Sequence, residues 1–332
     1  MRRISLIVSL IAAGALVATA GGATKGGSLS LVGYSTPKTV MGKIISAWNG
    51  TSDGGGVSFT QSYGASTDQA RAVAAGLKAD IVFLSYPGDV NLLVDAGLVD
   101  KNWDKQSYSG VEANTLVVFA VRNGNPKHIK GWEDLVRPGI QVITPNPFSS
   151  GSAKWNILAA YLAQRHLGKN DKQAIDYVTK LFQHVVAQDT SGRNATNTFL
   201  SGKGDVLITY ESEALNARMN GTDIQYVIPR QTMLIQLPIA VLKNSSNKDL
   251  ANSFIRYTKT AGPQDLFAQY GFRPVDQKIA KKYADKFPAR PGTYTINDKT
   301  LGGARAVDKR WFDPKKGVMV GIEKKVGGPT SG

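Results

Sequence analysis

The chain has 332 residues, 42% hydrophobic and 20% charged, with 35 Gly and 14 Pro. That balance excludes disorder and collagen and suits about two domains with their own cores. Zero cysteines exclude disulfides, thiol nucleophiles, iron–sulfur clusters, Cys-based zinc sites and a lipoprotein anchor. The net charge is +15, and residues 276–332 alone carry 13 basic against 6 acidic residues. No stretch interleaves basic with aromatic residues and no helical pattern carries a dense basic stripe, so nucleic acid is not an expected partner.

In chain order, residues 1–20 (MRRISLIVSLIAAGALVATA) read as a secretory signal peptide. Two arginines precede an apolar run, Ser9, Gly14 and Thr19 weaken that run as a membrane span, and Ala18-Thr19-Ala20 is a small-x-small cleavage pattern. Cleavage after Ala20 removes Arg2 and Arg3, lowers the charge to +13 and leaves a mobile Gly-rich lead at 21–27. No other segment is long and apolar enough to cross a bilayer, so an exported, soluble product is expected.

Residues 28–35 form a β-rich run. Pro37 opens a helix to Trp48, with Val40, Ile44, Ile45 and Trp48 at helical spacing. A strand at 57–61, a helix at 66–79, a buried strand at 80–85 and a helix at 89–96 repeat the pattern and imply a parallel sheet covered on both faces. A strong strand at 115–122 ends in Asn123-Gly124-Asn125-Pro126, after which the rhythm restarts. A short helix at 132–136, a strand at 140–144 and helices at 152–166 and 172–182 follow, then a strand at 185–188, a helix at 194–200 and a strand at 206–210. Residues 238–243 are a strand that runs back, followed by helices at 249–260 and 263–270 and an irregular basic tail. The expected architecture is α/β with two lobes. Lobe one is discontinuous (28–114 and 237–332), lobe two is 115–236, and the chain crosses between them near 113–116 and 230–238. The cleft between lobes is the expected ligand site.

Catalytic signatures are missing. His128, His166 and His184 form no HExxH and no ligand-spaced pair, and GxSxG, GxGxxG and GxxxxGK[ST] are absent. No metal, cofactor or catalytic residue is expected. A triad assembled in space around Ser149 or Ser150 is the enzymatic alternative. Glu211 and Glu213, two apart, do not share a helix face and read as solvated charge. The distinctive feature is three small turns that each precede a helix: Gly64-Ala65-Ser66-Thr67, Ser149-Ser150-Gly151-Ser152 and Thr190-Ser191-Gly192-Arg193-Asn194. Helix starts present unpaired N–H groups and partial positive charge, Gly permits close approach, and Ser adds a hydroxyl donor. Each turn alone is an ordinary N-cap; aimed together they form an anion cage.

Several stretches carry a wider resemblance. They are Ser62-Tyr63-Gly64-Ala65-Ser66 with Gln69-Ala70-Arg71, Lys101-Asn102-Trp103, ITPNPFSSGSAKWN at 143–156, Thr196-Asn197-Thr198-Phe199, GDVLITYE at 204–211 and Phe272-Arg273-Pro274. From about residue 28 to 316 the chain resembles the periplasmic sulfate-binding proteins of sulfate and thiosulfate ABC importers. The resemblance implies a type II periplasmic binding fold, two hinged α/β lobes closing over one dehydrated oxyanion held by neutral donors. The implied donors are Ser66, Ser150, Gly151, Ser152 and Gly192, with Tyr210 where the family has a tryptophan N–H. A phenol also donates, with a different reach. Ser152 stands where the family often has glycine, Ala65 and Thr67 replace small residues, and Tyr34-Ser35-Thr36-Pro37 replaces an aspartate-bearing turn. Asp68 and Asp189 are the carboxylates to watch, because a pocket carboxylate changes anion preference.

Sulfate is fully ionised at neutral pH and only accepts hydrogen bonds, whereas phosphate carries a proton that needs an acceptor. Burying that proton unpaired costs about 1–3 kcal/mol, roughly ten- to a hundredfold in affinity. The resemblance thus implies a monomeric periplasmic protein that delivers sulfate or thiosulfate to a membrane permease and is not an enzyme. The rivals are another tetrahedral oxyanion, phosphate or molybdate, and an exported serine hydrolase using Ser150.

Overall fold

The computed structural model describes residues 26–290 and 292–332. The signal peptide expected at 1–20 lies outside the described residues. The first alternating elements are β1 (Gly27–Tyr34), α1 (Lys38–Asn49), β2 (Val57–Gly64), α2 (Ser66–Ala74), β3 (Ile81–Phe83) and α3 (Pro87–Asp95). In α1 the spacing of Val40, Met41, Ile44, Ile45 and Trp48 makes one buried stripe. Helix α2 stops short of its expected end because Gly76, at φ +109°, takes the chain out of helical geometry.

Strand β4 (Val111–Arg122) is followed by a tight turn at Trp132–Val136, then β5 (Val142–Ile143), α4 (Gly151–His166), α5 (Asp171–Gln183), β6 (Val185–Ala187), α6 (Gly192–Leu200) and β7 (Val206–Tyr210). Then come α7 (Glu211–Met219), β8 (Ile224–Val227), β9 (Thr232–Val241), α8 (Lys248–Thr258), α9 (Ala261–Gln269) and β10 (Arg273–Pro274). The tail, expected to be irregular, contains α10 (Gln277–Lys282), β11 (Thr293–Tyr294), α11 (Ala304–Val307) and α12 (Val318–Val326).

The strand order is β2-β1-β3-β9-β4-β7-β5-β6, with β8 and β10 on β4 and β11 on β9. Strand β1 is parallel to β2 and β3, and β5 is parallel to β6 and β7. Strands β4 and β9 break the expected all-parallel pattern: β9 runs antiparallel to β3 and β4, and β4 antiparallel to β7. Ile239–Val241 of β9 pair with β3, while its earlier residues Leu234–Pro238 pair with Val111–Leu116 of β4; beyond that point β4 pairs with β7. Two adjacent antiparallel strands therefore link the parallel half-sheets, β9 adjoining the first and β4 the second, and the residues expected as crossings fall on them except 230 and 231, which precede β9.

Helix α4 is buried on every side from Gly151 to Gln164 and packs on β7, β9 and α5. The end of the chain, expected with lobe one, packs on elements that fall within 115–236, the stretch expected as lobe two. Helix α12 buries Met319, Val320 and Ile322 and packs on α5, Gln188 Nε2 donates to Glu323 Oε2 at 3.1 Å, and Asn146 Nδ2 donates to the Ser331 carbonyl at 3.0 Å.

Candidate functional site

The three Ser/Gly turns meet where the two half-sheets face each other. At α2, the Thr67 N–H donates across the cleft to the Ser149 carbonyl at 3.1 Å. The N–H groups of Ser66 in α2, Gly151 and Ser152 in α4, and Gly192 and Arg193 in α6 have no acceptor among the described residues. Ser191 is an ordinary cap, accepting from the Asn194 N–H at 3.1 Å. Ser150 stands at the cap position of α4 but makes no cap bond, which leaves its hydroxyl for another acceptor.

Close approach leaves little room for a side chain at Gly192 and none at Gly151. A Cβ at Gly192 would lie 3.2 Å from Ser152 Cβ and Oγ. A Cβ at Gly151 would lie 2.3 Å from Ser85 Oγ, 3.0 Å from Tyr86 Cβ and 3.3 Å from Asp89 Oδ2. The start of α4 is thus pressed against the β3–α3 corner, where Trp155 Nε1 also donates to the Ser85 carbonyl at 2.6 Å.

Tyr210 ends β7, is 1% exposed, and sits beside Ser85 and Ser152. Its ring meets that of Tyr34 edge-on at 6.5 Å. Burial pushes both phenols well above their ordinary range, so each is a neutral O–H group. The hydroxyl of Tyr34 is buried without a partner among the described residues, and those of Ser152 and Tyr210, although beside each other, make no well-formed hydrogen bond. Each such orphan costs about 1–3 kcal/mol, and three around one set of helix starts mark a place for an acceptor that the chain itself does not supply.

The structure brings Ser66, Ser150, Gly151, Ser152, Gly192 and Tyr210 together, and it changes what Ser66 has to offer. The Ser66 hydroxyl donates to Asp89 Oδ2 at 2.6 Å and accepts from the Ser85 N–H at 2.9 Å, leaving only the backbone N–H free. Asp89 was not among the expected site residues. It is 1% exposed, its Oδ1 accepts from Thr67 Oγ1 at 2.8 Å and from Lys154 Nζ at 3.2 Å, and the Lys154 ammonium stands 4.7 Å over the Tyr86 ring. The sequence signal was Lys154, set between Ala153 and Trp155 in the first turn of α4, since a lysine buried there needs an anion. Asp68, by contrast, is half-exposed and pairs with Arg71 at 3.3 Å; Asp189 Oδ1 accepts from Thr198 Oγ1 at 2.9 Å, while its Oδ2 is buried without a partner among the described residues.

Glu211 and Glu213 are not solvated. Both are buried at the start of α7, and because residues two apart point in different directions each meets its own arginine. Arg273 donates to both Glu211 oxygens at 2.6 and 3.0 Å; Arg193 pairs with Glu213 at 2.9 Å and reaches the Thr36 carbonyl across the cleft at 3.4 Å. His166 bonds Asp298 at 2.9 Å and stacks on Tyr294, and His184 bonds the Ile140 carbonyl at 3.1 Å. Among the described residues no histidine hydrogen-bonds Ser149 or Ser150, and Ser149 Oγ donates instead to the Thr190 carbonyl at 2.8 Å.

Two half-sheets joined by shared strands, with free helix starts and orphaned hydroxyls between them, define a two-lobed ligand-binding protein. Residues 29–273 match the family model described as bacterial extracellular solute-binding protein. The chain belongs to this family, in the branch of the sulfate-binding proteins. It is 33% identical to the sulfate-binding protein of Synechococcus elongatus over 91% of this chain and 90% of that one. To the thiosulfate-binding protein of Pseudomonas aeruginosa it is 34% identical, over 78% and 80%. Its fold is similar to that of the sulfate-binding protein SubI from Mycobacterium tuberculosis H37Rv, with a TM-score of 0.82, 46% identity, and coverage of 86% of this chain and 99% of SubI.

Proposed function

We propose that this protein captures sulfate or thiosulfate in the cleft between its lobes and delivers it to the membrane permease of an ABC importer, with no catalytic step of its own. The observation that carries the reading is the convergence of unpartnered neutral donors on one buried place: the N–H groups of Ser66, Gly151, Ser152 and Gly192, and the hydroxyls of Ser150, Ser152 and Tyr210. Asp89, the carboxylate beside the start of α4, already receives Ser66, Thr67 and Lys154 and has no need of a ligand proton. A fully ionised anion that only accepts suits such a set, and a protonated one does not.

Closure is a bend of the two shared strands near 113–116 and 230–238, with residues 28–114 and the return from 237 on one side and 115–236 on the other. The protein works as a monomer in the periplasm after removal of residues 1–20. The test is a calorimetric titration of anion-stripped protein with sulfate, repeated with phosphate and molybdate as competitors. Tight one-to-one sulfate binding that excess phosphate does not displace is expected. Absence of sulfate heat, or displacement by phosphate or molybdate, overturns the choice of ligand, and ester turnover lost in Ser150→Ala overturns the binding reading itself.

A further inference from the structure

We infer that Tyr34 contacts the bound anion directly, as the hydroxyl donor that the first lobe contributes to the cage; the inference rests on the oxyanion reading above. Ser66 was the expected first-lobe hydroxyl, and its proton goes to Asp89 Oδ2 at 2.6 Å. Thr67 is engaged twice within the protein, its hydroxyl to Asp89 and its N–H to the Ser149 carbonyl. On this side of the cleft, Tyr34 retains a buried hydroxyl with no partner among the described residues.

Its position fits the role. Tyr34 is the last residue of β1, paired in register with Gly64 just before the first Ser/Gly turn. Phe83 meets its ring edge-on at 5.4 Å on one side and Tyr210 at 6.5 Å on another, so a ring this enclosed keeps its hydroxyl inside. The charged groups near the phenol are Arg193 and Glu213, which are paired with each other at 2.9 Å. Arg193 belongs to the same α6 start as Gly192. The Tyr34 hydroxyl therefore lies among groups that frame the cage, with a proton to give and no hydrogen bond to any of them, since Glu213 is taken up by Arg193. A donor left so when buried is costly, and an anion between the lobes relieves it.

The contact also has a consequence for closure. A neutral phenol from lobe one facing Tyr210 from lobe two ties the gain of that hydrogen bond to the lobes being together.

The test is Tyr34→Phe, which keeps the ring and removes only the O–H. Sulfate affinity by calorimetry is expected to fall roughly ten- to a hundredfold, while the midpoint of thermal unfolding without sulfate stays the same or rises. The upward shift of that midpoint on adding sulfate should shrink accordingly. In wild type carrying Cζ-labelled tyrosine, the resonance assigned to Tyr34 by its loss in the variant should move on adding sulfate. Equal affinity of variant and wild type, a Tyr34 resonance indifferent to sulfate, or a variant whose only defect is lower stability without ligand each overturns the inference. Failure of the wild type to bind sulfate instead counts against the oxyanion reading, so the two failures are distinguishable.

Discussion

Gly151→Ala tests the close approach of the lobes most directly. The added methyl would lie 2.3 Å from Ser85 Oγ, 3.0 Å from Tyr86 Cβ and 3.3 Å from Asp89 Oδ2. A serine hydroxyl can rotate aside, but Tyr86 Cβ is fixed by a fully buried ring packed on Trp155 at 5.6 Å. The methyl is relieved only by moving the start of α4 away from the β3–α3 corner. Overpacking of this kind costs about 1–3 kcal/mol. Because the strain exists only in the closed arrangement, it subtracts from closure and hence from affinity, roughly five- to 150-fold. Alanine is also the better helix former, so the unliganded protein should be no less stable. Calorimetric titration with sulfate measures the first effect and denaturant unfolding without ligand the second. Adding Ser85→Ala removes the nearest clash and should restore part of the lost affinity, a coupling that a double-mutant cycle reads. If Gly151→Ala binds sulfate as wild type does, the lobes do not close along this contact and the reasoning is refuted.

Tyr210→Phe should cost roughly ten- to a hundredfold in sulfate affinity with little change in stability, and an unchanged titration would remove Tyr210 from the cage. Asp89→Ala leaves Lys154 buried in the closed arrangement with only the more distant Asp308, 3.9 Å away, and should oppose closure by about 3 kcal/mol, the low end for a broken buried pair, read as a fall in sulfate affinity by calorimetry. Glu323 is pushed up to about 7 by burial, with the Gln188 bond pulling the other way. Its folded form thus holds a proton more tightly than the unfolded chain, so its effect is most favourable below about 4.5, the unfolded value, and is lost as pH rises through 7. Glu323→Gln should flatten that part of the stability profile, and a profile identical to wild type would contradict the assignment.

Local chemistry explains which features were legible. The alternation from β1 to α3 and the limits of β7 follow from hydrophobic periodicity and turn residues, which act over a few positions. Strand β4 begins four residues before its expected start because Glu112 and Asn114 look like loop residues; Glu112 is buried and its partner Lys259, at 2.9 Å, comes from the far end of α8. The antiparallel runs of β4 and β9 depend on pairings between distant segments, which no local pattern encodes. The same holds for the carboxylates: Glu211 and Glu213 read as solvated acids, and Asp89 goes unremarked, until Arg273, Arg193 and Lys154 arrive from elsewhere in the chain. The three helix starts were legible because a small residue before a helix is a local feature. The fate of the Ser66 hydroxyl was not, since its acceptor lies on another helix.

The paired stretch of β4 and β9 shapes how cargo leaves. Two strands bonded to each other along Val111–Leu116 and Leu234–Pro238 form a ribbon that can flex without giving up its own ladder. In the proposed cycle, parting the lobes therefore loads the bonds across the mouth: Thr67 to Ser149, Lys154 to Asp89, Trp155 to Ser85, Arg193 to Thr36, and those to the anion. Grip and release then draw on the same bonds, so a variant that holds sulfate more tightly should surrender it to an importer more slowly.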